Sequence, residues 1–156
     1  INYSTKSTAM KKLLVLMYSL MVGFGSMAVP ITNVNERIVR SFKETYPKAE
    51  QVDWKEYPES YIVYFVEDGV RSNIIYGKDG SFISSTRYYK EETLPFYLLV
   101  TVKKKFVDKK IFGVTEISTP NHIEYYIKME DEKRWMTIKV DSDGNLELVE
   151  KFNKAP

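Results

Sequence analysis

The sequence predicts an α+β fold: a tandem duplication of a helix plus four-stranded antiparallel sheet unit, with the helices packed on one sheet face. The apolar stripes of the two predicted helices are offset by 64 residues, with Val34, Ile38 and Phe42 in the first and Leu98, Val102 and Phe106 in the second. An Asp-Gly turn recurs at the same offset, at Asp79-Gly80 and Asp143-Gly144. A period of this length, present only twice, indicates a duplicated unit rather than a solenoid.

The N-terminal segment has the three parts of a secretory signal peptide. Lys11 and Lys12 follow Met10, residues 13–24 form an uncharged apolar run, and Ser26-Met27-Ala28 supplies the small residues of a cleavage site. The apolar run is twelve residues long, whereas a membrane-spanning helix needs about 20. The sequence therefore predicts an exported protein, periplasmic or secreted, with no membrane span after cleavage.

The predicted cleavage divides the chain into three parts. Residues 1–28 are the N-terminal extension and signal peptide, 29–90 the first α+β unit and 91–156 the second. Three of the 23 basic residues lie in the leader, so 20 remain against 21 acidic residues and the mature charge is −1. A chain without a basic surface is a poor ligand for nucleic acid, which excludes that class of partner. The chain has no cysteine, which excludes a lipid anchor on cysteine and disulfide bonds.

The first unit begins with a predicted helix over Asn33–Tyr46. Asn33 and Glu36 have the spacing of a capping box, and Pro47 ends the helix because it disfavours the α conformation in the residue before it. Four segments rich in β-branched and aromatic residues then predict strands: Gln51–Tyr57, Ser60–Glu67, Val70–Tyr76 and Phe82–Tyr88. Asp68-Gly69 and Asp79-Gly80 fall between them, where hairpin turns need glycine.

The second unit repeats this order. Thr93-Leu94-Pro95 opens a predicted helix, since proline suits the first turn. The β-branched run Val100-Thr101-Val102 favours a strand as the alternative. Four strands are predicted to follow, at Gly113–Thr119, His122–Met129, Lys133–Val140 and Leu146–Lys151. The turn at Asp131-Glu132-Lys133 has no glycine, which predicts a looser loop there.

Alternation along the strands predicts which side chains face the helices. The inward set is Tyr61, Val63 and Phe65 in the first unit, and Ile123, Tyr125, Ile127, Met129, Met136, Ile138 and Val140 in the second. The outward set includes Ile62, Tyr64, Arg71, Asn73, Ile75, Tyr126 and Trp135. Periodicity alone leaves open whether the two sheets join into one surface.

The sequence contains no constellation that predicts catalysis, a metal site or a cofactor. His122 is the only histidine, and a lone histidine without cysteine excludes a structural zinc site. Asp141-Ser142-Asp143-Gly144-Asn145 resembles the start of a calcium loop, but its glycine comes fourth rather than sixth. A tight turn explains this segment, so we expect a protein that is not an enzyme.

Aromatic residues on the outward sheet face predict binding instead. Exposed aromatic side chains on a sheet face indicate an interaction site, and tyrosine, tryptophan and arginine are the residues that most often anchor interfaces. We predict that Tyr64, Arg71, Tyr126 and Trp135 contact an unidentified protein in the cell envelope. A small molecule or cell-envelope glycan bound between the two units is the alternative, and a homodimer covering this face is another.

The order of the motifs resembles that of the PepSY-like exported bacterial proteins. The motifs are Tyr46-Pro47-Lys48-Ala49 after a helix, Asp79-Gly80, Leu94-Pro95 before a second helix, and Asp143-Gly144. Their fold is similar to that of the β-lactamase inhibitor protein, a tandem of two helix-plus-four-strand units. The resemblance implies a small exported protein that binds or inhibits another protein through its sheet face, and it transfers no inhibitory loop to this chain.

Overall fold

Eight strands form one antiparallel sheet in the computed structural model, which describes residues 34–155. The strands are β1 (Glu50–Glu56), β2 (Ser60–Glu67), β3 (Val70–Gly77), β4 (Phe82–Tyr89), β5 (Lys110–Ser118), β6 (Ile123–Glu130), β7 (Arg134–Asp141) and β8 (Leu146–Asn153). Helix α1 (Glu36–Thr45) precedes β1, and a 3₁₀ turn (Glu91–Thr93) and helix α2 (Phe96–Lys105) precede β5. The predicted signal peptide and Asn33 lie outside the described residues.

The predicted fold of two separate helix-plus-four-strand units is wrong. β4 pairs with β5 from Ser85–Ser118 to Tyr89–Val114, so the strand order runs from β1 to β8 without a break. The 90/91 boundary between the predicted units therefore lies in a connection whose flanking strands are hydrogen-bonded to each other. Alternation within each strand reports its buried face but not its neighbour, which is why the sequence left this pairing open.

The N-cap of helix α1 lies two residues later than the sequence predicted. The N-cap is Asn35, whose side chain accepts a hydrogen bond of 2.9 Å from the Arg37 amide. This bond satisfies one of the amides that a helix start leaves without a partner. At the other end the Tyr46 amide donates to the Phe42 carbonyl at 2.8 Å, immediately before Pro47.

Helix α2 is helical throughout Val100-Thr101-Val102, so the strand alternative is wrong for this segment. Pro95 occupies its N-cap position. Leu98 and Val102 are fully buried on its inner side, and this burial outweighs the weak helix preference of the β-branched run. No helix among the described residues has the length and apolar character needed to cross a bilayer.

Each helix covers its own apolar cluster on the same face of the sheet. The α1 cluster consists of Phe42, Val63, Phe65 and Ile74, with Tyr46 and Trp54 at its margin. The α2 cluster is larger and includes Leu98, Val102, Val114, Ile127, Met129, Ile138 and Val140. Strand register places both clusters on one face. Ile74 of the α1 cluster is opposite Ser85 on β4, and Val114 of the α2 cluster is opposite Tyr89 on β4. Ser85 and Tyr89 are four residues apart, so their side chains point to the same side of the sheet.

The predicted strand faces are confirmed at most positions. Tyr61, Val63 and Phe65 are buried, as are the inward residues of β7. Ile123 is the exception, with 36% of its surface exposed. It opens β6 opposite Ser118, the last residue of β5, and it is not part of the cluster under α2.

The turns explain two further sequence features. Asp68 and Gly69 have positive φ angles of 48° and 77°, the pattern of a type I′ hairpin turn. The glycine-free turn after β6 is held by Asp131, whose carboxylate accepts from the Lys133 and Arg134 amides at 2.8 and 2.7 Å. A hydrogen bond from the Lys109 ammonium is the largest cause that lowers the pKa of Asp131 to about 2. The side chain therefore closes a turn that the sequence predicted to be loose.

Candidate functional site

The sheet face opposite the two helices, called the open face below, carries all four residues predicted to bind a partner. Arg71, Tyr88, Thr115, Tyr126 and Lys139 form one row across β3 to β7. Adjacent strands lie about 4.8 Å apart, so Arg71 and Tyr126 are separated by about 14 Å. The predicted residues therefore share a face without forming a single cluster.

Tyr64 and Arg71 lie closest together among the four. Tyr64 is opposite Asn73 on β3, two residues from Arg71, and both line a shallow depression of about 510 Å³ with Tyr88. Tyr64 is 39% exposed, and Lys55 lies with its ammonium 5.6 Å from the Tyr64 ring centroid. This depression is the part of the predicted site that the fold assembles.

Trp135 lies at the far end of the open face and is partly covered by its own chain. Its partner on β6 is Glu130, four residues from Tyr126, a distance of about 13 Å along a strand. The ring of Phe112 meets Trp135 edge-on at 5.2 Å, and the Lys154 ammonium lies 4.7 Å from its centroid. Trp135 is therefore half-buried on the open face, away from both helices.

Charged groups on the open face divide into paired and unpaired ones. Lys139 lies 3.2 Å from Glu124 and 3.7 Å from Glu147, and its hydrogen bond to Glu124 raises the pKa of Lys139. The Tyr126 hydroxyl also donates to Glu124, at 3.2 Å. Within residues 34–155 the Arg71 side chain has no acidic partner, so its charge is available to a ligand or partner.

A second groove on the open face was not predicted from the sequence. It has a volume of about 550 Å³ and is lined by Arg71, Tyr88, Phe112, Gly113 and Lys128 among others. Gly113 leaves the gap, because a Cβ built there would meet only the Tyr89 carbonyl oxygen, at 3.8 Å. Phe112 was missed because the predicted strand began at Gly113, one residue after it. Tyr88 was missed because the alternation in β4 was not used to assign the sheet face on which Tyr88 lies.

The helix-covered face is polar between the two apolar clusters. Arg87 on β4 lies opposite Glu116 on β5, with 3.3 Å between Nη1 and Oε1. The Tyr89 hydroxyl donates to Oε2 of Glu116 at 2.6 Å. Burial, followed by this hydrogen bond, raises the pKa of Tyr89 far above its ordinary value. Glu116 is 9% exposed. Each oxygen of this buried carboxylate therefore has a donor, Arg87 for Oε1 and Tyr89 for Oε2.

The segments examined for chemistry have structural roles. The His122 side chain is 58% exposed, and its Nδ1 lies 3.1 Å from the Thr119 hydroxyl. The Asp141 carboxylate accepts from the Asp143 and Asn145 amides, both at 2.9 Å, which makes Asp141–Asn145 a closed turn. No group of three or more potential metal ligands occurs within residues 34–155.

Replacing Tyr89 with phenylalanine tests the buried carboxylate. The variant leaves Oε2 of Glu116 without its donor, which is expected to lower the free energy of unfolding by about 1–3 kcal/mol in urea denaturation. Tyr88→Phe is the matched control, because this neighbouring ring is 45% exposed and its loss of a hydroxyl should change stability by less than about 0.5 kcal/mol. Equal effects of the two substitutions would contradict the assigned network.

Comparison with known proteins identifies the fold. No protein-family model matches the chain, and no curated protein matches it. Solved structures similar to it at low sequence identity include three from Bacteroides species. A BLIP-like protein from Bacteroides fragilis has a TM-score of 0.56 at 17% identity, covering 76% of this chain and 85% of that chain. A DUF2874 family protein from Bacteroides uniformis has a TM-score of 0.55 at 14% identity, covering 76% and 88%.

The third structure is described as a candidate periplasmic protein from Bacteroides eggerthii. Its TM-score is 0.56 at 17% identity, with 77% of this chain and 88% of that chain covered. Identities at this level establish the fold alone. The expected similarity to the β-lactamase inhibitor protein is confirmed at that level, whereas the PepSY-like assignment stays a prediction. The chain has a BLIP-like fold.

Proposed function

We propose that this chain is an exported, non-catalytic binding protein that recognises a protein of the cell envelope through the open face. The observation that carries this proposal is a continuous eight-stranded face that neither helix covers and that presents exposed aromatic side chains. Tyr64 is 39% exposed, Tyr88 45%, Phe112 57% and Phe152 59%. Exposure of this many large apolar side chains on one face is unfavourable in water, which supports an interaction surface there.

The size of the open face suits a protein partner. Eight strands span about 34 Å across the sheet, and eight residues span about 26 Å along a strand. The product is about 900 Å², close to the roughly 800 Å² that each partner contributes to a stable interface. A small ligand would leave most of this surface exposed, which favours a protein over the glycan alternative on this face.

The composition of the open face also suits an interface. Tyrosine, tryptophan and arginine are enriched among residues that dominate binding energy, and Tyr64, Tyr88 and Arg71 lie around one depression. Arg71 forms no ion pair with an acidic residue within residues 34–155. A bound protein that presents a carboxylate there would form an ion pair with it. Such complementarity mainly raises specificity and the association rate.

The compartment and an inhibitory role rest on the sequence and on the similar structures. The leader has the composition of a signal peptide, and one similar protein is described as a candidate periplasmic protein. Another is described as BLIP-like, which supports inhibition of a second protein as one form of binding. The motif order of the PepSY-like proteins agrees with the same compartment.

Replacing Tyr64, Tyr88 and Tyr126 together with serine tests the proposal. We expect the triple variant to lose a partner that the unmodified chain captures from the envelope fraction of its host. Its melting temperature should fall only slightly, because Tyr64 and Tyr88 are exposed.

Phe96→Ser is the control for that experiment. Phe96 is 79% exposed on α2, which lies on the other side of the sheet, so this variant should retain the partner. The proposal fails if Phe96→Ser releases the partner while the triple variant retains it. A concentration-dependent dimer in light scattering that the triple variant abolishes would instead assign the open face to a second copy of the chain.

Gly113→Val tests whether the groove beside Tyr88 takes part. The substitution fills the gap without a backbone clash, since the nearest atom to its Cβ is 3.8 Å away. Stability should be unchanged or slightly higher, because glycine weakens a strand interior. Partner binding should weaken about tenfold, or about 1.4 kcal/mol. Thr45→Val, at the end of α1 on the other side of the sheet, is the control and should bind normally; unchanged binding by Gly113→Val would exclude the groove from the interface.

A further inference from the structure

A polar cleft lies on the helix side of the sheet, between the α1 cluster and the α2 cluster. Its volume is about 280 Å³, and its floor is formed by the middle strands β3, β4 and β5. Ser72 lies opposite Arg87, and Ser85 lies opposite Ser118. The inward side chains of the sheet are apolar under each helix and polar in this cleft.

Ser72 is a largely buried polar residue of the cleft. Only 9% of its surface is exposed, and its hydroxyl forms no hydrogen bond within residues 34–155. The hydroxyl is not fully enclosed, and Ser72 lines the cleft. The hydroxyl therefore faces the cleft, where a bound molecule can hydrogen-bond to it in place of water.

The other polar groups of the cleft define what it can hold. Arg87 uses one guanidinium nitrogen for Glu116, and its side chain is 41% exposed, so further donors are free to face a ligand. The Ser85 and Ser118 hydroxyls also form no hydrogen bond in the described part of the chain. Hydroxyl groups of a ligand can both donate and accept hydrogen bonds. They would therefore suit a cleft lined by three serine hydroxyls and one arginine.

Charge and size narrow the class of ligand. The charged groups that line the cleft are Arg87 and the carboxylates of Glu67 and Glu116, so its formal charge is −1. This balance opposes an anionic ligand, because Arg87 is already paired with Glu116 and the Glu67 carboxylate remains. The volume is slightly below the roughly 300 Å³ at which pockets for drug-sized ligands begin, so the ligand must be smaller than those.

We infer that this cleft binds a hydroxyl-rich molecule without negative charge, the size of a monosaccharide. Its hydroxyls hydrogen-bond to Ser72, Ser85 and Ser118 on the floor and accept from Arg87. Phe65 and Ile74 supply apolar wall beside them. The site lies on the opposite side of the sheet from the open face, so it does not depend on the proposed protein partner.

A matched series of sugars tests the inference by NMR titration of the whole, isotope-labelled chain. D-glucose is the neutral probe, D-glucuronate the anionic one and D-glucosamine the cationic one. We expect saturable shifts with glucose at the amides of Ser72, Ser85 and Ser118, and at least threefold weaker binding of glucuronate than of glucose or glucosamine. No saturable shift with glucose, binding of glucuronate as tight as that of glucose, or shifts confined to the open face would overturn the inference.

Ser72→Ala and Ser84→Ala locate the site. Ser72→Ala removes the unpartnered hydroxyl and should weaken glucose binding about two- to tenfold, the range that one hydrogen bond supports. Ser84 is opposite Ile75 on the open side of β4, so Ser84→Ala should bind glucose normally. Both variants should keep the melting temperature of the unmodified chain. Equal affinities of the two variants would show that Ser72 does not contact the sugar.

Discussion

The pairing of β4 with β5 is the constraint on which the rest of the structure depends. It joins the strands that follow α1 to the strands that follow α2, so that eight strands share one ladder of hydrogen bonds. Without this pairing, β4 and β5 would each be an exposed edge strand, and exposed edges favour aggregation. The pairing also makes the open face continuous, because the row through Arg71 and Tyr126 crosses it at Tyr88 and Thr115.

Side chains at this junction differ from those elsewhere on the helix-covered face. Arg87 and Glu116 form a cross-strand ion pair, and opposite charges placed directly across two strands stabilise their pairing. The Tyr89 hydroxyl completes the hydrogen bonds of the Glu116 carboxylate. Arg87 and Glu116 also line the polar cleft, so the junction and the cleft share these two residues.

The local structure could be predicted from the sequence because it depends on local patterns. Alternation placed β2 at Ser60–Glu67, as observed, and it assigned Tyr64, Arg71, Tyr126 and Trp135 to the face away from the helices. Turn chemistry located the Asp-Gly hairpins for the same reason. The predicted N-cap was wrong by two residues because Asn33 and Asn35 are equally good caps by composition, and only the backbone selects Asn35.

The long-range structure could not be predicted in the same way. Strand alternation carries no information on which strand lies beside which, so the sequence left open whether the two predicted sheets join. The cleft and the groove were missed because each is formed by residues of three or more elements, and Gly113 matters only through the side chain it lacks. Functional surfaces of this kind become visible only when register is known.

Cross-strand NOEs between β4 and β5 would show whether the eight strands form one sheet. We expect contacts between the backbone protons of Arg87 and Glu116 and of Thr86 and Ile117, together with slow exchange of the ladder amides in both strands. Absence of these contacts, with rapid exchange along β4 and β5, would contradict a single sheet and with it both the open face and the cleft.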